Sequence, residues 1–222
     1  VDHALMQARA KALMDTRVDA MRRLQAGDVQ GSPVAIERAA ASYAAALASI
    51  ELGEGARAQT SLDAARDLLR DKTTPRASLA LAVAQAQIHL LGKQGARALA
   101  ALEGLPADGR AGLLSRAQVA AAAGDVKALR ASTEALQTWV AERPLDALAW
   151  SQLAVCARGL GQPLRALRAE AESFAALGDV GAAIDRFSAA QRLARGSAST
   201  PADAIEASVI DTRLRELQNK RR

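Results

Sequence analysis

The strongest constraint on this chain is one recurring spacing. A glycine ends a long alanine- and leucine-rich run, a polar turn follows, and a small residue then returns at a fixed distance. The pattern is cleanest in FAALGDVGAAIDRFSAAQRLA, where Gly178 and Asp179 form the turn and Ala183, Phe187 and Ala190 stand 5, 9 and 12 residues beyond the glycine. The same offsets from Gly53 select Ala58, Leu62 and Ala65. From Gly161 they select Ala166, Glu170 and Ser173, and from Gly124 they select Leu129, Thr133 and Leu136, both weaker matches. After Gly92 the turn reads one residue longer and selects Ala98, Leu102 and Leu105. Small residues at fixed positions let two helices of a pair approach closely, and larger ones wedge between neighbouring pairs. One pair cannot bury its apolar face alone, so the pairs must stack.

The punctuation agrees with helices throughout. Ser32-Pro33, Thr74-Pro75 and Thr200-Pro201 each set a capping residue before a proline at the first helical position, where the missing N–H costs nothing. Pro144 and Pro163 are expected to open helices in the same way, and Pro106 lies in the loop GLPADG. Gly27, Gly53, Gly92, Gly124, Gly161 and Gly178 stand where left-handed C-caps belong. About eleven helices follow, near 3–26, 33–52, 54–70, 75–91, 94–103, 109–123, 125–142, 145–160, 163–177, 179–195 and 201–219. No segment alternates with period two for long enough to be a strand. Hydrophobic residues are 50% of the chain while aromatics are 2%, a balance carried by alanine, the best helix former.

Gly161 and Gly178 are 17 residues apart, half of the 34-residue tetratricopeptide period. The helix near 163–177 therefore serves as the second helix of one pair and the first of the next. Trp150, Leu153 and Ala154 match the Trp-x-x-Leu-Gly/Ala opening of such a repeat. The expected fold is all-α: a tetratricopeptide-like solenoid of antiparallel helices forming a right-handed superhelix. It is expected as a single domain over 1–222, with a linking helix in 1–31, helix-pair repeats in 32–195 and a capping helix in 196–222.

The stretch RAEAESFAALGDVGAAIDRFSAAQRLARG, followed by EASVIDTRLRELQNKRR, resembles the C-terminal tetratricopeptide region of periplasmic zinc metallopeptidases of the M48 family, of the BepA type. In that family the last helix reads S-x-I-D-x-R-L-x-E-L, which Ser208, Ile210, Asp211, Arg213, Leu214, Glu216 and Leu217 follow. The opening ALMQARAKALMD is similar to the helix that follows the peptidase domain there. About the last 60 residues carry the specific part of the resemblance.

The resemblance implies a repeat module that binds outer-membrane assembly machinery or client proteins and packs with its own peptidase domain in the periplasm. The chain opens at Val1 without an initiator methionine, so it is expected to be a piece of a longer protein. The H-E-x-x-H helix of the peptidase, which places two histidines one turn apart on zinc, is not in this sequence. The chain offers His3 and His89 alone, so no metal or other cofactor is expected in it, and zinc belongs to the peptidase domain. A free-standing adaptor in secretion or pilus assembly is the alternative.

Other classes are disfavoured by composition. Net charge is +5, from 29 basic and 24 acidic residues dispersed along the helices, and the one dense basic run is Lys220, Arg221 and Arg222. No ring-studded basic stretch offers bases a stacking surface, so nucleic acid is not an expected partner. No stretch approaches the ~20 apolar residues of a membrane span, and no signal peptide is visible. Cys156, the single cysteine, reads as a small core residue. No nucleophile elbow, phosphate-cradling loop or paired-carboxylate cleft is present, so no catalytic residue is expected.

Helical arrays of this kind bind extended peptides or partner helices on the concave face, lined by the first helix of each pair. Register from the glycines assigns Tyr43, Leu47 and Ile50 to that face in the first pair, His89 in the second and Gln118 in the third. Ser151, Val155 and Arg158 follow in the fourth, with Arg165, Arg168 and Glu172 on the shared helix. Tyr43, the sole tyrosine, is expected to expose its ring as an anchor. The arginines at 158, 165 and 168 suit a carboxylate, such as a partner's C-terminus or an acidic loop. Trp139 and Trp150, flanking the turn at Pro144, are expected to pack in the core.

Overall fold

The computed structural model describes residues 1–27, 34–105, 109–196 and 200–220. Among these, twelve helices and no strand are found: α1 (Asp2–Met14), α2 (Val18–Ala26), α3 (Ala35–Glu51), α4 (Gly55–Leu69), α5 (Pro75–Leu91), α6 (Gly95–Ala100), α7 (Arg110–Ala123), α8 (Val126–Glu142), α9 (Ala147–Gly159), α10 (Pro163–Ala176), α11 (Val180–Gly196) and α12 (Pro201–Lys220). The cap assigned to Ser32-Pro33, the loop position of Pro106 and the Arg221–Arg222 end of the basic run lie outside the described residues. The helices form two compact units, Val1–Gly112 and Leu113–Arg222.

In the first unit α3 packs on α4, with α1, α2 and α5 also against α3 and α6 on α5. Its core joins Leu5, Ala8 and Ala12 of α1 to Tyr43 and Leu47 of α3, Leu62 and Leu69 of α4, and Leu81 and Ala84 of α5. In the second unit each helix from α8 to α12 packs on the next, and α12 also reaches back to α10. Phe187, Ile210, Leu214 and Leu217 share a core cluster with Ala171, Ala183 and Ala190. Packing is thus between helices that are next to or near one another in sequence, in an all-α array.

The turn grammar has a physical basis at each joint. Gly53, Gly124, Gly161 and Gly178 adopt positive φ, between 66° and 81°. After three of them the N–H of the residue following the glycine bonds the carbonyl five residues back: Glu54 to Ser49, Gln162 to Ala157 and Asp179 to Phe174, at 2.8, 2.9 and 3.0 Å. This is the Schellman closure, and its left-handed position strongly favours glycine. Gly27 and Gly92 are not left-handed, with φ of −52° and −79°. At the second of these, Lys93 takes φ 55° and Gln94 closes on His89 at 2.9 Å, so the turn falls one residue later. That shift is why the small residue arrives at Ala98.

The residue five beyond the left-handed positions at Gly53, Lys93, Gly124, Gly161 and Gly178 is buried each time: Ala58, Ala98, Leu129, Ala166 and Ala183. Where it is leucine, the facing helix compensates. A Cβ added to Gly159 of α9 would lie 3.0 Å from Leu129 Cδ1, so the large residue on α8 is matched by the smallest one on α9.

Helix starts follow capping chemistry. The Ala77 N–H donates to Thr74 Oγ1 at 3.1 Å ahead of Pro75, and the Ala128 N–H to Asp125 at 2.7 Å. Pro163 occupies the first turn of α10. Pro144 does not open α9: Asp146 caps that helix through the Ala149 N–H at 3.2 Å, and Pro144 stays in the turn. The single helix expected over 3–26 is broken at Asp15–Arg17. Asp15 accepts from the Arg17 N–H at 3.2 Å and from its guanidinium at 2.9 and 2.6 Å, a local alternative to helical bonding that no glycine or proline announces. That fork holds the Asp15 carboxyl down at about 2.

Candidate functional site

The second unit contains a cleft of about 440 Å³ bordered by α8, α9, α10 and α12. Gln137 of α8, Trp150 of α9, Arg165, Arg168 and Glu172 of α10, and Arg213 of α12 give it its polar and aromatic lining. Three of these four helices, α8, α9 and α10, are brought together by the tight 143–146 turn and the left-handed turn at Gly161. The fourth, α12, closes the cleft from the far side.

Two tryptophans brace the 143–146 turn. Trp139 Nε1 donates to Asp146 at 2.9 Å and Trp150 Nε1 to the Pro144 carbonyl at 2.9 Å. The Arg143 guanidinium stacks 4.0 Å from the Trp139 ring centroid. Trp150 is buried, as expected, whereas Trp139 is half-buried and serves the turn. Satisfying each indole N–H locally fixes the Trp150 ring in the cleft wall.

The charged lining is a set of forks. Arg213 donates twice to Glu172, Nε to Oε1 and Nη2 to Oε2, each at 2.8 Å, and again to Glu216 at 2.5 Å. The bond to Glu172 raises the already high Arg213 pKa, so the guanidinium stays charged. Arg165 Nε and Arg168 Nη1 each hold one oxygen of Glu206 from α12, at 3.0 and 2.9 Å. Arg168 also faces Trp150, 6.0 Å from the ring centroid. Its Nε is buried and has no hydrogen-bond partner. Arg158, exposed, pairs with Glu170, which also meets Arg186 at 3.5 Å.

The structure therefore unites Arg165, Arg168 and Glu172 of the expected site and places the rest elsewhere. Tyr43 is the clear correction: its ring is fully buried and its hydroxyl donates to the Ala80 carbonyl at 3.4 Å. Burial pushes that phenol upward. Leu47 and Ile50 are likewise core residues: α1, α2, α4 and α5 all pack on α3, so the face that register alone would leave open is covered. His89 sits on a shallower groove with Gln59 and Gln94. Its ring contacts the Gln85 amide nitrogen through Nε2 at 3.3 Å and the Gln94 side-chain oxygen through Nδ1 at 3.2 Å. Gln118 is exposed on α7, while Ser151 and Val155 are half-buried on α9 outside the cleft lining.

Glu206, Arg213 and Gln137 were not singled out as site residues from sequence. The signal for the first two was present: Glu206, Ile210, Arg213 and Leu217 follow helical spacing, so two charges sit on the apolar stripe of α12. Cys156 is buried as expected, its Sγ 3.9 Å from the Ala117 carbonyl, and burial pushes the thiol up to about 11. Among the described residues no three His, Cys, Asp or Glu converge as metal ligands, and no helix is long and apolar enough to cross a membrane.

Compared with protein-family models the chain matches none, and no curated protein matches it significantly.

Proposed function

We propose that this chain is a protein-binding module built from tetratricopeptide-type helix pairs, the repeat part of a periplasmic M48-type zinc metallopeptidase. In this reading it holds outer-membrane assembly partners or client proteins for a peptidase domain that supplies the zinc, and it has no catalytic centre of its own. The observation that carries the binding role is the α8–α10 cleft: an open recess with three arginines and a fixed tryptophan in a molecule otherwise packed through alanine and leucine. Arginine and tryptophan are the residues that dominate binding energy at protein interfaces. The M48 assignment is supported by the resemblance of α11 and α12 to that family's last repeat and final helix.

The test is affinity capture from a periplasmic and outer-membrane extract, with Gln137→Trp alongside to fill the cleft without touching its ion pairs. Specific capture of an outer-membrane assembly protein, lost in Gln137→Trp, is expected. Capture that survives the variant contradicts the cleft as the binding site. Zinc-dependent peptide cleavage by the chain, abolished by a chelator, contradicts the absence of a catalytic centre.

A further inference from the structure

α12 is held in the second unit in two unlike ways. Its second half is anchored by apolar burial, with Ile210, Leu214 and Leu217 in the cluster around Phe187. Among residues 201–209 the one buried side chain is Glu206, while Ile205 beside it is 67% exposed. The first half of α12 is therefore seated by a carboxylate in a two-arginine fork and not by hydrophobic area.

That seat lies on the cleft. Arg165 and Arg168 stand three apart on one face of α10, so both guanidinium groups meet one carboxylate. Arg168 keeps a buried Nε donor unused even with Glu206 in place, and its guanidinium faces the Trp150 ring. A carboxylate on a chain that also lays apolar surface along Trp150 and Leu153 would satisfy the same fork and gain contact that Glu206 does not make.

We propose that the Arg165–Arg168 fork is a binding site for a peptide carboxylate and that Glu206 is its built-in occupant. An incoming ligand displaces Glu206 by lifting residues 201–209, while residues 210–220 stay docked. The proposal rests on the partner-binding reading above and adds the chemistry of the ligand. Because Glu206 is tethered, it competes at an effective concentration on the order of millimolar, which keeps the native chain a weak binder. Chain termini and Asp or Glu side chains offer the same carboxylate chemistry.

The experiment is fluorescence anisotropy on the whole chain with three labelled probes of one leucine-rich sequence. One ends in a free carboxylate, one is the C-terminal amide, and one is the amide with an internal glutamate. Glu206→Gln keeps the side chain's shape and removes the competing charge. It should tighten binding of a carboxylate probe by about tenfold, with no gain for the plain amide and loss of the gain when Arg168→Ala is added. The tighter of the two carboxylate probes identifies the source. Equal gain for the plain amide, or no gain at all, overturns the proposal. If circular dichroism shows that Glu206→Gln does not fold, hydrogen exchange on the native chain with millimolar free-carboxylate probe decides. Faster exchange in 201–209 with 210–220 unchanged is expected, and no change in 201–209 overturns the proposal. Either failure leaves partner capture, and its dependence on Gln137, standing as a separate result.

Discussion

The two units use the same left-handed turns to different ends. In the first, α3 is surrounded by α1, α2, α4 and α5, and Tyr43, Leu47 and Ile50 lie in the interior. A polar cluster ties α2 to the end of α3: the buried Gln25 donates to Ser49 and Glu54 at 2.8 and 2.7 Å, and Arg22 meets Glu54 at 2.5 Å. In the second, the corresponding inner surface of α9 and α10 is left as a cleft whose walls carry charges. The difference shows that the turn sets which residues face inward, while the other helices packed around that face decide whether it becomes core or an open cleft.

The largest expected effect tests the sealed side. Tyr43→Ala should cost about 3–5 kcal/mol in urea denaturation, the loss typical of a large buried ring, and still leave capture unchanged under conditions where the variant is folded. A small loss of stability would mean that this face of α3 is not part of the core. Gly159→Val should cost about 1–3 kcal/mol by driving into Leu129, because the small-for-large exchange between α8 and α9 leaves no room. Cys156 is the natural probe for it: buried with its thiol raised to about 11, it should react slowly with a thiol reagent in the native chain and faster in this variant. Equal labelling rates would place the strain elsewhere.

Smaller effects sharpen the open side. Glu172→Ala leaves Arg213 without its bidentate partner, and since Arg213 is about one-third exposed the cost should be about 1–2 kcal/mol, read by the same denaturation. The smallest concerns the shared grammar. Lys93→Gly relieves a left-handed lysine and should stabilise the first unit by about 0.5–1 kcal/mol. Destabilisation would mean that the Lys93 side chain contributes more than its backbone costs.

Much of this architecture is legible in the sequence because it is local. Eleven segments were marked by capping residues, prolines and glycines, and the structure follows them to within a few residues; only the break at Asp15–Arg17 escaped, being made by a side-chain fork with no glycine or proline. The one-residue delay after Gly92 was visible in the spacing, and Lys93 supplies its cause. The site was legible in part. Arg165, Arg168 and Glu172 lie in consecutive turns of one helix, so register placed them together. Tyr43 differs because its burial depends on helices distant in sequence, among them α5, where Ala80, 37 residues away, accepts its hydroxyl; periodicity within α3 does not report them. Glu206 and Arg213 are non-local in the same sense: their partners on α10 lie 38 to 41 residues away.

The most direct test of the central claim is site-specific photo-crosslinking in the same extract, with the reactive side chain placed in turn at Gln137 on the cleft and at Gln59 on the first unit's shallow groove. A discrete crosslinked protein from position 137 and none from 59 is the predicted result. Crosslinks from position 59 with none from 137 would contradict the account and move the binding surface to the first unit.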